Sequence, residues 1–243
     1  MQKNNKIDFW DRIEDSYQQY PTVIHRKRLV LKAMDLIKLN SGAYIFDYGC
    51  GQGEMLEKIK KRYGLGNQQL GGCDNSKKAI EAVKRKFPSS AIFYGSLPVI
   101  SHKCEVIICS EVIEHVKEYT NILNWAKENI APDGLFILTT QSGKMHAIDE
   151  YSGHLRTFEM RKLKAELERL GFEILEAYLW GFPLFSFQKY LTDFHFNKIK
   201  KSFLEGRPGL IKKLLFKFVY GAYFIHDLIK YGPQIVIAAR RSA

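Results

Sequence analysis

"IFDYGCGQGEML", Ile45 to Leu56, runs from a strand through three glycines into a helix. Ala43, Tyr44, Ile45 and Phe46 read as a buried strand ending in Asp47. Gly49, Gly51 and Gly53 follow at alternate positions, and Glu54, Met55 and Leu56 open a helical pattern. Glycines at a strand's mouth allow a tight turn and let a ligand approach the backbone, while helix N–H groups point at it. The stretch is therefore an anion- or nucleotide-binding corner. The dinucleotide pattern G-x-G-x-x-G fails, because Glu54 stands where the third glycine belongs. The phosphate loop G-x-x-x-x-G-K-[ST] is absent as well. What remains is Asp-x-Gly-x-Gly-x-Gly. A carboxylate beside the ligand repels a pyrophosphate and attracts a cationic amine or sulfonium. A second acid, Asp74, closes the next strand about twenty residues on, where a carboxylate takes a ribose hydroxyl pair.

Outward from this corner the pattern is regular. Strand 43–47 leads to helix 52–62, then strand 68–74, helix 76–87, strand 91–95, strand 105–110 and helix 119–130. "APDG" reads as a turn before strand 135–140. Helix 158–170, with Thr157 as its cap and Gly171 as its stop, precedes strand 172–179. Short apolar strands alternating with helices predict a doubly wound α/β fold with a mostly parallel sheet. Residues 8–38 read as two helices jointed at Pro21. Residues 182–232 are aromatic and basic with no strand, and "QIVIAAR", Gln234 to Arg240, is a strand again. The expected organisation is one domain over 1–243: a helical cap at 1–40, a core at 41–181 and 233–243, and a helical lid at 182–232.

The 243 residues carry a formal net charge of +11, which suits nucleic acid, an anionic membrane or an acidic substrate. Cys50, Cys73, Cys104 and Cys109 form no CxxC pair and read as reduced thiols of a cytoplasmic protein. Residues 1–10 lack an apolar signal region, and no run of about 18 apolar residues predicts a membrane span.

The acid–glycine turn and the second acid, on adjacent predicted strands, resemble class I S-adenosylmethionine-dependent methyltransferases, over roughly residues 25–181 and 234–240. The resemblance implies a seven-stranded sheet, order 3-2-1-4-5-7-6, whose last strand is antiparallel. It implies that Asp47, Gly49, Cys50, Gly51 and Gly53 hold the methionine part of S-adenosylmethionine, and that Asp74 with Asn75 holds the ribose. Around the adenine many members carry an acid where this chain has Gly95-Ser96-Leu97, which leaves Ser96 as the contact. The product cofactor would be S-adenosylhomocysteine.

"CSEVIEHV", Cys109 to Val116, resembles the fourth motif of ubiquinone-type small-molecule O-methyltransferases. It also resembles the metal-binding motif of small-RNA 3′-end methyltransferases. In the first group the loop lines the space between cofactor and acceptor, so Ser110, Glu111 and His115 join the cofactor set. His154, His115 and Glu114 are the catalytic candidates, with His154 suited to general-base work on an acceptor hydroxyl. Tyr17, Tyr20, His25, Arg26 and Arg28 are candidates for contacts with cofactor or acceptor. Glu111, Glu114, His115 and His154 form a chemically allowed metal set. No metal is assigned, because the rest of the chain resembles the small-molecule group. The expected function is methyl transfer to an oxygen or nitrogen of a small molecule, natural-product or glycan-linked acceptors included. An RNA 3′-end or other macromolecular methyltransferase, and a cofactor-binding protein without transfer, are the alternatives. For 182–232 a lid over an apolar acceptor, a peripheral membrane surface, a nucleic-acid groove and a dimer surface stay open.

Overall fold

The computed structural model describes residues 17–199 and 209–242. The predicted helix between residue 8 and Pro21 lies mostly outside them. The helix after it, α1, spans Pro21–Met34, with Pro21 at its first turn as its fixed φ favours.

Seven strands form one sheet in the order β3-β2-β1-β4-β5-β7-β6. They are β1 Ile45–Tyr48, β2 Leu70–Asp74, β3 Ala91–Tyr94, β4 Cys104–Ser110, β5 Ile130–Gln141, β6 Phe172–Trp180 and β7 Gln234–Arg241. Pairings among β1 to β5 are parallel. The last strand, β7, runs antiparallel between β5 and β6. This is the order that the resemblance implied. Helices α2 Glu54–Tyr63, α3 Lys77–Lys86 and α4 Thr120–Asn129 follow the first strands. After β5 come the short α5 Ala147–Tyr151 and α6 Met160–Arg169. Between β6 and β7 lie α7 Leu184–Phe194, α8 Phe196–Ile199, α9 Leu210–Ala222 and a 3₁₀ turn, Tyr223–Asp227.

Alternation along each strand sorts the core into two layers. Phe46, Tyr48, Ile107, Cys109, Phe136 and Leu138 pack beneath α4 and α6. Ile45, Val106, Ile108, Leu135 and Ile137 pack beneath α1, α2 and α3. Asp47 shares the parity of Ile45, so it faces the α1 side. All four cysteines are free and buried. No helix among the described residues is long and apolar enough to cross a membrane.

Two local expectations change. "APDG" does not separate α4 from the strand. Residues 130–141 are continuous β5, and the segment bulges where the pairing to β4 jumps from Ile130 to Leu135, with Asp133 at φ 59°. Thr157 is not the cap of α6: that position is Glu159, while the Thr157 hydroxyl donates to the Gly143 carbonyl at 2.6 Å.

The insertion is fastened to α1 by an aromatic knot. His25 of α1 lies 4.9 Å from the Trp180 ring, 5.7 Å from Tyr223 and 5.5 Å from His226. Both histidines are buried, and none of their ring nitrogens has a hydrogen-bond partner among the described residues. Burial lowers His25 to about 3 and His226 to about 4, so both are neutral near pH 7. In the unfolded chain each returns to an ordinary value near 6.5. Their contribution is therefore fully present above about pH 6.5 and is lost as pH falls toward 3 to 4. Denaturant unfolding should show stability declining across that window, with a shallower decline in His25→Phe. An equal slope in wild type and variant would contradict this account of the knot.

Candidate functional site

A parallel sheet brings the ends of successive strands to one edge, where open α/β sheets bind ligands. Here that edge carries the turn after β1, Asp74 at the end of β2, Gly95 to Leu97 after β3, the loop after β4 and the end of β5.

The glycine turn is held by its neighbour strand. Gly49 and Cys50 donate their N–H groups to the Cys73 carbonyl at 2.8 and 3.0 Å. The Gly51 N–H donates to Asp74 Oδ2 at 2.9 Å, and Ser76 N–H donates to Oδ1 of the same carboxylate at 2.8 Å. Gly49 and Gly51 both have positive φ, at 81° and 52°. Their surroundings differ. A Cβ on Gly49 would meet Val112 Cγ2 at 2.4 Å, whereas one on Gly51 would meet nothing within 4 Å. The turn is thus packed against the loop after β4 at one end and bordered by open space at the other. Beyond it α2 starts with Glu54 and Glu57 in its first turn, which makes this helix end hostile to phosphate and tolerant of a cation.

Asp47 lies almost wholly buried beneath the turn. Burial pushes its carboxyl up to about 7, opposed by the charge of Lys27. Lys27 is itself lowered to about 8 by burial, and its ammonium donates to Gln18. The open space over Gly51, the acid-rich helix start and the two carboxylates fit a ligand carrying both a cation and a diol. S-adenosylmethionine is such a ligand. Ser96 is exposed on the loop after β3, where Leu97 N–H donates to the Tyr48 hydroxyl at 3.3 Å. Ser110 Oγ is 2.8 Å from Thr139 Oγ1, so this hydroxyl links β4 to β5. Asn75 lies between Asp74 and the capping Ser76 of α3.

After β4 the chain turns at Glu111, a non-glycine residue held at φ 57°. Its carboxylate accepts from Thr139 Oγ1, Gln141 Nε2 and Gln234 Nε2, and lies 3.5 Å from Arg26 of α1. Burial alone would raise the Glu111 carboxyl. The charge of Arg26 and these donors outweigh it and hold the group below the ordinary range. Glu114 is opposite in kind. It is fully buried, accepts one bond from Thr140 Oγ1 at 2.9 Å, and is raised well above the carboxylate range by burial and by Glu111. Two carboxyls three residues apart are therefore shifted in opposite directions.

His115 and His154 meet at 4.6 Å between ring centroids, nearly perpendicular. They meet because the loop after β5 is tied down: Leu155 N–H donates to the Glu114 carbonyl at 2.8 Å, and Arg156 donates to the Lys117 carbonyl at 3.0 Å. Burial lowers His154, so its imidazole is neutral, and its Nδ1 is 3.9 Å from Asp149 Oδ1. Glu114, His115 and His154 each offer a ligand atom within 4.8 Å of the others, enough to hold a metal ion. Glu111 is taken up by its own donors.

Sequence reasoning missed the group that organises this corner. Lys189 of α7 is 2% exposed. Its ammonium donates to Gln141 Oε1 at 2.5 Å and to Asp149 Oδ2 at 2.9 Å. A polar chain thus runs from Arg26 through Glu111, Gln141, Lys189 and Asp149 to His154. The spacing along α7 held the signal: Lys189 falls opposite the apolar positions Phe187, Tyr190, Leu191 and Phe194. On α7, Lys189 and Thr192 face inward beside Phe185, which stacks on Trp180, while Phe187, Tyr190, Leu191 and Phe194 are exposed. Among the N-terminal candidates Arg26 reaches the site. His25 lies in the aromatic knot, Tyr20 stacks on Phe216, and Arg28 pairs with Asp227. The side chain of Tyr17 lies outside the described set.

Comparison with known proteins places this geometry. A family model for the methyltransferase domain matches residues 22–177. The ubiquinone biosynthesis O-methyltransferase of Schizosaccharomyces pombe is 26% identical over 185 residues, which cover 70% of this chain and 64% of that protein. The (S)-coclaurine N-methyltransferase of Thalictrum flavum subsp. glaucum is 30% identical over 108 residues, covering 42% of this chain and 29% of that one. The chain therefore spans less than two thirds of these curated relatives. Among solved structures, the mycolic acid cyclopropane synthase CmaA1 shares the fold with a TM-score of 0.64 at 14% identity, covering 98% of this chain and 97% of its own. So does phosphoethanolamine N-methyltransferase 2 of Haemonchus contortus, with a TM-score of 0.62 at 14% identity, over 99% of this chain and 61% of its own. This chain belongs to the methyltransferase domain family, of the class I S-adenosylmethionine-dependent kind.

The two glycines separate binding from folding. Gly51→Ala should weaken S-adenosylmethionine binding at least about ten-fold while lowering stability by only about 1–2 kcal/mol, the cost of a side chain at positive φ. Gly49→Ala should lose more stability, because its methyl meets Val112. Calorimetric titration beside thermal unfolding checks both.

Proposed function

We propose that this protein transfers a methyl group from S-adenosylmethionine to an oxygen or nitrogen of a small-molecule acceptor, releasing S-adenosylhomocysteine. The observation that carries the reading is the glycine turn gripped by Asp74 above a buried Asp47. Asp47 would face the cofactor's ammonium, and Asp74 the ribose hydroxyls, with Asn75 and the Gly51 backbone beside them. The bound cofactor supplies an activated methyl on a sulfonium. The chain's own task is to hold an acceptor in line with that methyl and keep water away, which can supply about 7–11 kcal/mol of the barrier.

His154 is our candidate for the general base. Its imidazole is neutral, and the Lys189–Asp149 pair fixes the loop that carries it. His115 would orient it through the perpendicular ring contact. Glu114 is buried and its carboxyl is raised well above the ordinary range by burial and by Glu111, so in this reading it stabilises the loop and takes no proton from the acceptor. The names of the O- and N-methyltransferase relatives support acceptors of both kinds. A cytoplasmic location accords with the four free thiols.

A second reading rests on the donor atoms of Glu114, His115 and His154 lying within 4.8 Å of one another. In it these residues hold a divalent metal that binds the acceptor's hydroxyls, as a ribose end of RNA would offer. Treatment with EDTA separates the two: activity that survives chelation supports the small-molecule base mechanism, and activity restored only by added metal supports the second.

Calorimetry should give micromolar binding of S-adenosylmethionine and none of NAD⁺; absence of the first overturns the proposal. The affinity should rise as pH rises through about 7, because Asp47 must ionise to meet the ammonium. Asp47→Asn should bind weakly and without this dependence. A wild-type pH profile persisting in the variant would remove Asp47 from the role.

With a hydroxyl acceptor, His154→Gln should lower kcat by about 10²–10⁴ and leave the cofactor Kd unchanged. A kcat within a few-fold of wild type would assign the proton transfer elsewhere.

A further inference from the structure

Both longer helices of the insertion turn their apolar faces outward. Of the large hydrophobic side chains exposed among the described residues, all but Leu36, Tyr94, Leu97, Val99 and Leu155 lie between Phe182 and Tyr231. On α7 the exposed set is Phe187, Tyr190, Leu191 and Phe194, a spacing that lines one helix face. The opposite face buries Lys189 and Thr192. On α9 the exposed set is Leu210, Ile211, Leu214, Leu215 and Phe218, which at about 100° per residue fall within an arc of about 140°. The opposite face packs inward through Phe216 against Tyr20, and through Val219 and Tyr220 beside Leu29 and Trp180. A surface helix of a globular protein normally keeps its outer face polar, whereas both of these outer faces are apolar. Leu210 is 74% exposed, Ile211 85% and Phe218 79%, so these are whole side chains in water.

Charge identifies what covers them. Residues 182–232 hold nine Lys or Arg against three Asp or Glu, and α9 has no acid at all. Among the acids, Asp193 is bonded to His146 and to the Ala147 N–H, and Asp227 is paired with Arg28. Lys213 and Lys217 are exposed on the flank of the apolar arc of α9, and Lys230 follows the insertion's last turn. Apolar and aromatic side chains flanked by lysines are the composition of a helix lying in a lipid–water interface. A second copy of the chain would bring like charge against like charge across such a face. We propose that α7 and α9 dock this protein on the surface of an anionic lipid bilayer, lysines at the headgroups and the aromatic face in the acyl boundary. The docking stands on this surface alone and is independent of the acceptor. Lys189 ties the docking helix to the loop of His154, which sets the candidate site next to the docking surface.

Co-sedimentation of the whole chain with vesicles tests this. Phosphatidylcholine vesicles with about 30 mol% phosphatidylglycerol should bind it at least about ten-fold better than phosphatidylcholine alone, and added salt should erase the difference. Leu214→Glu/Phe218→Glu should lose at least about ten-fold of that binding. Both positions are exposed, so thermal unfolding and S-adenosylmethionine affinity should stay at wild type, and they report a fold failure if they do not. Should that variant misfold, Lys213→Glu/Lys217→Glu replaces it and should abolish the preference for anionic vesicles. The proposal is overturned if the folded variants bind as wild type, if neutral vesicles bind equally well, or if wild type ignores vesicles. Sedimentation equilibrium identifies one such failure: a stable dimer that the Leu214→Glu/Phe218→Glu change splits, with no vesicle binding, makes the face a contact between copies.

Discussion

The carbonyl of Cys73 and the carboxylate of Asp74 hold the turn after β1 from the neighbouring strand. Four backbone N–H groups end on these two residues, from Gly49, Cys50, Gly51 and Ser76. A glycine turn has little of its own to fix it, since glycine loses more freedom on folding than any other residue. Here the parallel register of β1 on β2, with Asp47 opposite Gly72 and Tyr48 opposite Cys73, brings those acceptors within reach. The strand that carries Asp74, the proposed ribose ligand, thus also shapes the turn proposed to hold the methionine part.

The acceptor side is held by a different force. Lys189 is a cation drawn almost out of water, and removing its charge from solvent is unfavourable unless partners replace the lost hydration. Gln141 and Asp149 do so, and they sit on either side of the loop that carries His146. Deleting one member of such a buried pair typically destabilises by about 3–5 kcal/mol, because the other charge stays behind unpaired. The insertion is therefore joined to the strand-end edge by Lys189 and by Asp193, and on the α1 side by the Arg28–Asp227 pair and the His25–Trp180–Tyr223–His226 packing. Its outer face takes no part in either joint and is left apolar.

These two halves met the sequence differently. The residues proposed for the cradle could be placed from sequence because each lies at or beside a strand end, and alternation with helices fixes which edge that is. Asp47, Gly51 and Asp74 are read from spacing alone. His115 and His154 could be read as neighbours, since loops after the fourth and fifth strands of a doubly wound sheet open on the same edge. Thr157 misled, because a hydroxyl before a helix serves equally well as a donor to a loop carbonyl. "APDG" misled because turn residues also form a bulge that a strand carries in stride.

What the sequence determined by itself was the alternation of strands and helices and the acid–glycine corner at a strand end, which follow from periodicity and from residues adjacent in the chain; the strand order came with the family resemblance. Only the tertiary structure decided which way the carboxyl of each buried acid shifts. Glu111 and Glu114 belong to one short motif, yet one meets Arg26 from α1 and Gln234 from β7, while the other meets little beyond Thr140. Lys189 was likewise settled only by folding, since its two partners lie 48 and 40 positions away in the chain. Desolvation and Coulomb energy depend on distance in space, and no pattern along the chain measures that distance.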